Sequence, residues 1–224
     1  GKFMQLDLAA RRNLELTETM RAKEKRGSLL WVLDKTKTAM GGRLLRAWME
    51  RPLLSPAQIT RRLTAVEELV KKTIDREELI LSLREITDFE RAMTRIMTGT
   101  ASCRDLAALS QGAASLPAVK ERLSGMRAPY LQTLFEQLDT LADLKEKIDA
   151  TIVDDPPFLL REGGLIRDGA NKELDELRAV QSGGKGMLTQ IEAREKEKTG
   201  IRNLRVGYNR VFGYYIEVAK GQLN

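Results

Sequence analysis

Residues 55–72 read SPAQITRRLTAVEELVKK, and this stretch carries the clearest helix signal in the chain. Ser55 offers a hydroxyl at the N-cap position, and Pro56 stands at the first helical position, where its missing N–H costs nothing. Apolar residues then recur with the spacing of one helix face: Ile59, Leu63, Val66 and Val70. The pattern predicts a helix that begins at Pro56 and buries this face.

Similar patterns repeat on both sides of this helix, across residues 28–148. A hydroxyl or carboxylate precedes an apolar run at Asp75 and at Thr87, which predicts a helix N-cap at each position. Apolar residues from Leu131 to Ile148 keep a heptad-like spacing, which predicts one longer helix there. The chain is therefore expected to be mainly α-helical, with helices packed side by side.

A second, longer helix is predicted after a break at residues 154–157, which read DDPP. Either Asp168 or Asn171 is suited to cap this helix, whose pattern runs for roughly 30 residues, or ~45 Å at 1.5 Å per residue. Three glycines fall near its centre and predict a kink or local break there: Gly183, Gly184 and Gly186. Its far end is nearly all charge, which is typical of a helix that projects into solvent.

The hydrophobic period changes from 3.6 to 2 at Leu204, and the alternation resumes after Asn209 and Arg210, which predicts a terminal β-hairpin. A two-stranded hairpin is marginal alone, so the chain is expected to stop inside a larger unit. Basic and polar side chains lie beside the tyrosines of this hairpin: Arg205, Asn209, Arg210 and Lys220. They suit phosphate contact without base readout, although exposed arginines on a hairpin are also common.

Catalytic chemistry has little support in this composition. The chain has no histidine, and Cys103 is its only cysteine, which excludes His-based catalysis, Ser-His triads and the usual zinc sites. The stretch at 182–186, SGGKG, resembles a phosphate-binding loop, but Ala179 and Gly186 stand where that loop needs a glycine and a hydroxyl. We expect no catalytic and no metal-binding residues.

Charge is distributed unevenly. Residues 1–51 hold 12 basic and 6 acidic side chains, whereas residues 52–224 hold 26 of each, so the net charge of +6 is N-terminal. The basic run at 21–26 has no interleaved aromatics and is interpreted as a mobile polar loop. No apolar run is long enough for a membrane span or a signal peptide, and a cytoplasmic location is expected.

Six ordered stretches of the chain are DLAARRNLEL at 7–16, GSLLWVLDKT at 27–36, MGGRLL at 40–45, REGGLIRDG at 161–169, LDELR at 174–178 and VGYNRVFGYYIEV at 206–218. Together, and in this order, they resemble the central region of the MutS family of DNA mismatch-repair proteins. The resemblance spans nearly the whole chain. It implies a helical core domain at 1–165, a long lever helix at 166–201, and the beginning of an incomplete clamp domain at 202–224.

The resemblance also implies a function. The segment would couple ATP-driven changes to the binding of mismatched double-stranded DNA. Two hypotheses from the residues themselves add to this role: the three central glycines provide a bend in the lever, because glycine weakens a helix, and the four polar hairpin residues make sequence-independent contacts with the DNA backbone. ATP and Mg²⁺ would bind the full-length homodimer outside this chain, and a downstream factor such as MutL would be a partner. The alternative is a helical scaffold that binds protein partners and never meets DNA.

Overall fold

A computed structural model describes residues 2–211 and 213–219 of the chain. It is mainly helical with one antiparallel hairpin, as the sequence predicts. The elements are α1 Leu8–Asn13, α2 Leu29–Leu33, α3 Ala39–Glu50, α4 Pro56–Lys71, α5 Thr73–Arg84, α6 Phe89–Met97, α7 Cys103–Ala113, α8 Leu116–Ser124, α9 Pro129–Gln137, α10 Ala142–Thr151, a 3₁₀ turn Leu160–Glu162, α11 Lys172–Thr199, β1 Arg205–Asn209 and β2 Gly213–Glu217.

The chain divides into two compact units, residues 1–167 and 168–224. The first contains α1 to α10, and the second contains α11 and the hairpin. The three domains that the family resemblance implies, at 1–165, 166–201 and 202–224, stay a prediction.

Two apolar clusters hold the first unit together. One lies among α4, α5, α8 and α9, and its most buried side chain is that of Met126, followed by those of Ala65, Ala128 and Leu131. The other lies between α7 and α10 and is built on Leu109, Ile148 and Ile152, with Cys103 half-buried beside it. Burial of such side chains supplies the main driving force for packing these short helices.

The prediction for α4 is right about its start and wrong about its buried face. Pro56 begins the helix and Ser55 stands at the N-cap position, but the Ser55 hydroxyl makes no capping hydrogen bond to the described helix, so that part of the prediction is wrong. The predicted face points to solvent, with exposed fractions of 39% for Ile59, 60% for Leu63, 55% for Val66 and 62% for Val70. The helix packs instead through Ala65, which is 4% exposed, and Leu69. The sequence pattern locates an apolar stripe on the helix but not which face the neighbouring helices cover, and here they cover the face that carries Ala65 and Leu69.

Three further local predictions need correction. Helix α5 begins at Thr73, so Asp75 lies in its first turn rather than at the N-cap. Asp88, not Thr87, caps α6 by accepting a hydrogen bond from the N–H of Arg91, while the Thr87 hydroxyl donates to the carbonyl of Ala108. The single helix predicted from Leu131 to Ile148 is two helices, α9 and α10.

The long helix and the hairpin are confirmed. Helix α11 spans 28 residues, and the Asn171 side chain caps it by accepting a hydrogen bond from the N–H of Leu174 at 3.0 Å. Of the two predicted caps, Asn171 is therefore the one used. The helix ends at Gly200, whose φ of +72° is readily adopted only by glycine. Leu204, 3% exposed, then leads into β1.

Candidate nucleic-acid interface

The hairpin pairs its strands in a register that sorts its side chains onto two faces. Arg205 lies opposite Glu217, and Tyr208 opposite Tyr214. Because paired residues of an antiparallel ladder share a face, Val206, Tyr208, Tyr214 and Ile216 form one apolar face. Both tyrosines are more than 60% exposed, and their ring centroids are 4.9 Å apart.

The opposite face is shaped by a glycine. A Cβ at Gly207 would lie 2.7 Å from Cζ of Tyr215, so only glycine allows the Tyr215 ring to cross the neighbouring strand. Such coverage of a glycine by a cross-strand aromatic ring fixes the register of a hairpin. The ring thereby stabilises the strand that leads to Asn209 and Arg210.

The turn of the hairpin presents one exposed arginine that has no ion-pair partner in the part of the chain that the structure describes. The side-chain oxygen of Asn209 accepts a hydrogen bond from the N–H of Val211 at 3.0 Å, which closes the turn around Arg210. Arg210 is exposed and forms no ion pair with any residue that the structure describes. Its guanidinium is free to bind an anion, and Asn209 holds the backbone that carries it.

Arg205 has a different environment. It stands at the start of β1, four residues or roughly 13 Å of extended strand from Asn209. Glu217 lies opposite Arg205 across the ladder. The positive charge of Arg205 also acts on the carboxylate of Glu192 in α11. Both carboxylates oppose the positive charge of Arg205. The length of β1 also separates Arg205 from Asn209 and Arg210, which lie together at the turn. Lys220, the fourth of them, lies outside the described residues.

Glu192 joins the hairpin to α11. Its carboxylate accepts hydrogen bonds from Nζ of Lys196 at 2.6 Å and from the N–H of Val206 at 3.2 Å. These bonds, with Lys196 the larger influence, hold the pKa of Glu192 below its ordinary value. The carboxylate is therefore charged at neutral pH, and it ties the first strand to the last turns of the helix.

The stretch at 182–186 cannot serve as a phosphate-binding loop. It lies inside α11, where backbone N–H groups donate to carbonyls four residues earlier and are not available to cradle a phosphate. ATP, which the resemblance implies, therefore does not fit here. The helix continues through Gly183, Gly184 and Gly186, so the predicted local break is absent from the described helix.

Neither a metal-binding cluster nor a membrane-spanning helix is found within the described residues. No three His, Cys, Asp or Glu side chains among residues 2–211 and 213–219 are placed to hold a metal ion. Across the same residues, no helix is both long and apolar enough to cross a membrane.

A family model described as MutS domain III matches residues 9–210, which run from α1 to the hairpin turn. The chain belongs to the MutS family. It is 52% identical to the DNA mismatch repair protein MutS of Ruminiclostridium cellulolyticum, over 98% of this chain and 25% of that protein. It is 49% identical to the MutS of Acetivibrio thermocellus over the same shares, and 46% identical to that of Bacillus cytotoxicus over its whole length and 25% of the relative.

The chain thus spans about a quarter of the length of the MutS proteins it matches. The resemblance read from the sequence is confirmed, and the MutS domain III match covers both compact units. The sequence prediction did not place the carboxylates of Glu192 and Glu217 beside Arg205. The pairing of Arg205 with Glu217 could have been predicted from the sequence. Once Asn209 lies opposite Gly213 at the turn, the antiparallel register places Arg205 opposite Glu217.

Proposed function

We propose that this MutS segment meets DNA through the hairpin turn, with Arg210 as its phosphate contact and Asn209 as the residue that positions the turn. Helix α11 then transmits ATP-driven displacements of the full-length protein to that contact. The observation that carries the proposal is an exposed arginine, unpaired among the described residues, on a turn that Asn209 closes. Phosphate contact without base readout suits one charged side chain at an exposed tip.

The test is Arg210→Ala in a full-length MutS that carries this segment. Loss of one phosphate contact should weaken DNA binding several-fold for every sequence and lower the salt slope, log Kd against log salt, by about 0.9. Arg84→Ala is the matched control, because Arg84 is exposed and unpaired among described residues in the first unit. Equal affinity and slope for Arg210→Ala and the wild type would remove Arg210 from the interface.

The glycines of α11 are proposed to let the lever bend. A Cβ added at Gly183, Gly184 or Gly186 would meet no described atom within 4 Å, so alanine fits at all three positions. Each replacement should stabilise the helical conformation by up to about 1 kcal/mol, because alanine has a higher helix propensity than glycine. The helix should therefore bend less readily. In full-length MutS, the triple alanine variant should change the rate of ATP-dependent DNA release, whereas Gln181→Ala should not. Identical release rates would contradict the bend.

The alternative function, a scaffold for protein partners without DNA contact, has one observation in its favour. The apolar stripe of α4 is exposed in the first unit, and such stripes often mark interaction surfaces. DNA titration of the full-length protein at two salt concentrations separates the two functions. Binding that weakens with salt favours DNA contact, and the absence of binding favours the scaffold.

The remaining properties concern the whole protein. ATP hydrolysis with Mg²⁺, a homodimer, recognition of mismatched double-stranded DNA, a downstream partner such as MutL and a cytoplasmic location are proposed for the full-length MutS. This segment is proposed to supply none of the catalytic groups.

A further inference from the structure

A groove of about 330 Å³ in the first unit is bordered by four basic side chains: Arg11, Arg12, Lys23 and Arg46. It lies between α1, the loop at residues 17–23 and α3. Part of the basic excess that the sequence shows in residues 1–51 is therefore gathered around one concave surface.

The backbone around this groove is held by hydrogen bonds. The carboxylate of Asp7 accepts from the N–H of Ala10 at 2.6 Å and caps α1, which places Arg11 and Arg12 in the last turn of that helix. Nε of Arg11 donates to the carbonyl of Leu6 at 3.1 Å. These contacts fix the direction in which the end of α1 presents its arginines.

The loop at residues 17–23, on the other side of the groove, is also held by backbone hydrogen bonds. The N–H of Lys23 donates to the carbonyl of Thr19 at 3.0 Å, and the N–H of Thr19 donates to that of Glu24 at 2.9 Å. Lys23 has a φ of +54°, a left-handed conformation that costs energy in a residue with a side chain. Two backbone bonds offset this cost and set Lys23 at the edge of the groove.

The charges of the groove are unbalanced. Its acidic side chains are Glu18 and Glu50, and Glu50 pairs with Arg46 at 3.0 Å. Within the described residues, Arg11, Arg12 and Lys23 have no carboxylate partner. By contrast, Arg43 of the same unit is matched by Asp88 and Glu90. Like charges around one groove repel one another, so an anion bound there lowers the electrostatic energy.

We propose that this groove, named here the α1–α3 groove, binds phosphates of a nucleic acid backbone and is a contact additional to the hairpin turn. Arginine presents a planar fork of donors that matches phosphate oxygens. None of the described residues that line the groove is aromatic, so no ring is offered for a base to stack on, which favours backbone contact. This inference rests on the proposed function, because it needs the segment to meet DNA.

The test uses Arg12→Ala with Lys23→Ala in a full-length MutS that carries this segment. Both side chains are exposed, so folding, monitored by circular dichroism, should be unchanged. Loss of two phosphate contacts should weaken binding to duplex DNA roughly tenfold and lower the salt slope by about 2. Arg12→Lys with Lys23→Arg keeps both charges and should restore most of the affinity. Arg84→Ala with Lys147→Ala is the matched control for the net charge.

The outcomes separate this proposal from the proposed function. If the groove variant binds DNA as the wild type does while Arg210→Ala binds more weakly, the groove proposal alone is overturned. If neither variant changes DNA binding, both are overturned. Polyglutamate of matched charge is the second probe. A groove variant that loses polyglutamate binding but keeps DNA binding assigns the groove to an acidic protein and overturns the proposal.

Discussion

The carboxylate of Glu192 accepts a hydrogen bond from the backbone N–H of Val206 at 3.2 Å, and so joins the last turns of α11 to the first strand of the hairpin. The same carboxylate pairs with Lys196 one turn further along the helix. A single side chain thus connects the helix to the strand that leads to the turn around Arg210.

Glu192→Ala should loosen the attachment of the hairpin. Without an acceptor, the N–H of Val206 should exchange with deuterium roughly tenfold faster at pH 7, because one protecting hydrogen bond is lost. Glu197→Ala is the control, since Glu197 is exposed on the same helix and forms no ion pair with a described residue. Equal exchange rates for Val206 in the two variants would show that the bond contributes nothing to docking.

The same bond predicts a pH dependence. The pKa of Glu192 is lowered in the folded chain, so its stabilising effect is complete above the ordinary value of 4.5 and is lost as pH falls through the lower folded value. The amide resonance of Val206 should therefore stay constant from pH 7 to about pH 5 and shift below pH 4.5. In Glu192→Gln this shift should disappear, because the side chain no longer titrates.

Glu68 should matter more than its neighbour Glu67. Its carboxylate accepts from the N–H groups of Arg127 at 2.8 Å and Ala128 at 2.6 Å, where the chain enters α9. Burial raises the pKa of Glu68, but these bonds and Lys72 outweigh it and lower the pKa overall. Glu68→Ala should therefore reduce the free energy of unfolding by about 2 kcal/mol.

The measurement is urea unfolding of the chain at pH 7, with Glu67→Ala as the control. Glu67 is exposed and, among the described residues, pairs only with Lys71 on the surface of α4, so its removal should leave the midpoint almost unchanged. The difference between the two variants should shrink as the pH falls below 4.5, where Glu68 becomes protonated in the unfolded chain and then in the folded one. Equal midpoints at pH 7 would rule out Glu68 as an anchor.

Gly112→Ala should destabilise the first unit. A Cβ there would lie 2.5 Å from Oγ1 and 2.8 Å from the backbone nitrogen of Thr87, and backbone cannot move aside cheaply. We expect a loss of about 1–3 kcal/mol in urea unfolding. Gly125→Ala is the control, because the nearest atom to its Cβ is 3.9 Å away. Equal stability in the two variants would disprove the close approach of α7 to Thr87.

The exposed apolar stripe of α4, defined by Ile59, Leu63, Val66 and Val70, should bind an apolar dye in solution. Leu63→Lys with Val66→Glu should at least halve the fluorescence of a dye that binds apolar surfaces, without loss of helix content. Thr60→Lys with Thr64→Glu adds the same charges to exposed polar positions of α4 and should leave the fluorescence unchanged. Unchanged fluorescence in the first variant would show that the stripe is covered.

These elements also show how far the sequence predicts the fold. Local signals located the start of α4 at Pro56, the cap of α11 at Asn171 and the hairpin, because each depends on residues close together in the chain. The buried face of α4 depends on which helices lie beside it. The break between α9 and α10 could not be predicted either. There the carboxylate of Asp139 accepts a hydrogen bond from the N–H of Leu141, whose φ is +54°. A leucine in the sequence does not indicate that left-handed conformation.

The candidate interface was predicted in composition but not in arrangement. The sequence identifies Arg205, Asn209 and Arg210 as polar members of a hairpin. It does not show that Glu192 interacts with Arg205, because Glu192 reaches the strand from a helix that is adjacent only after folding. Arg210 is the exception, since a turn residue between two predicted strands is expected to be exposed.

The length of α11 has a mechanical consequence. Its 28 residues span ~42 Å at 1.5 Å per residue, so a rotation of about 5° at Lys172 displaces the end at Thr199 by roughly 4 Å. Hydrogen bonds to phosphate oxygens tolerate changes of only about half an ångström. Under the proposed function, a small angular change at the base of such a rod is therefore enough to break a phosphate contact made by the hairpin at its tip.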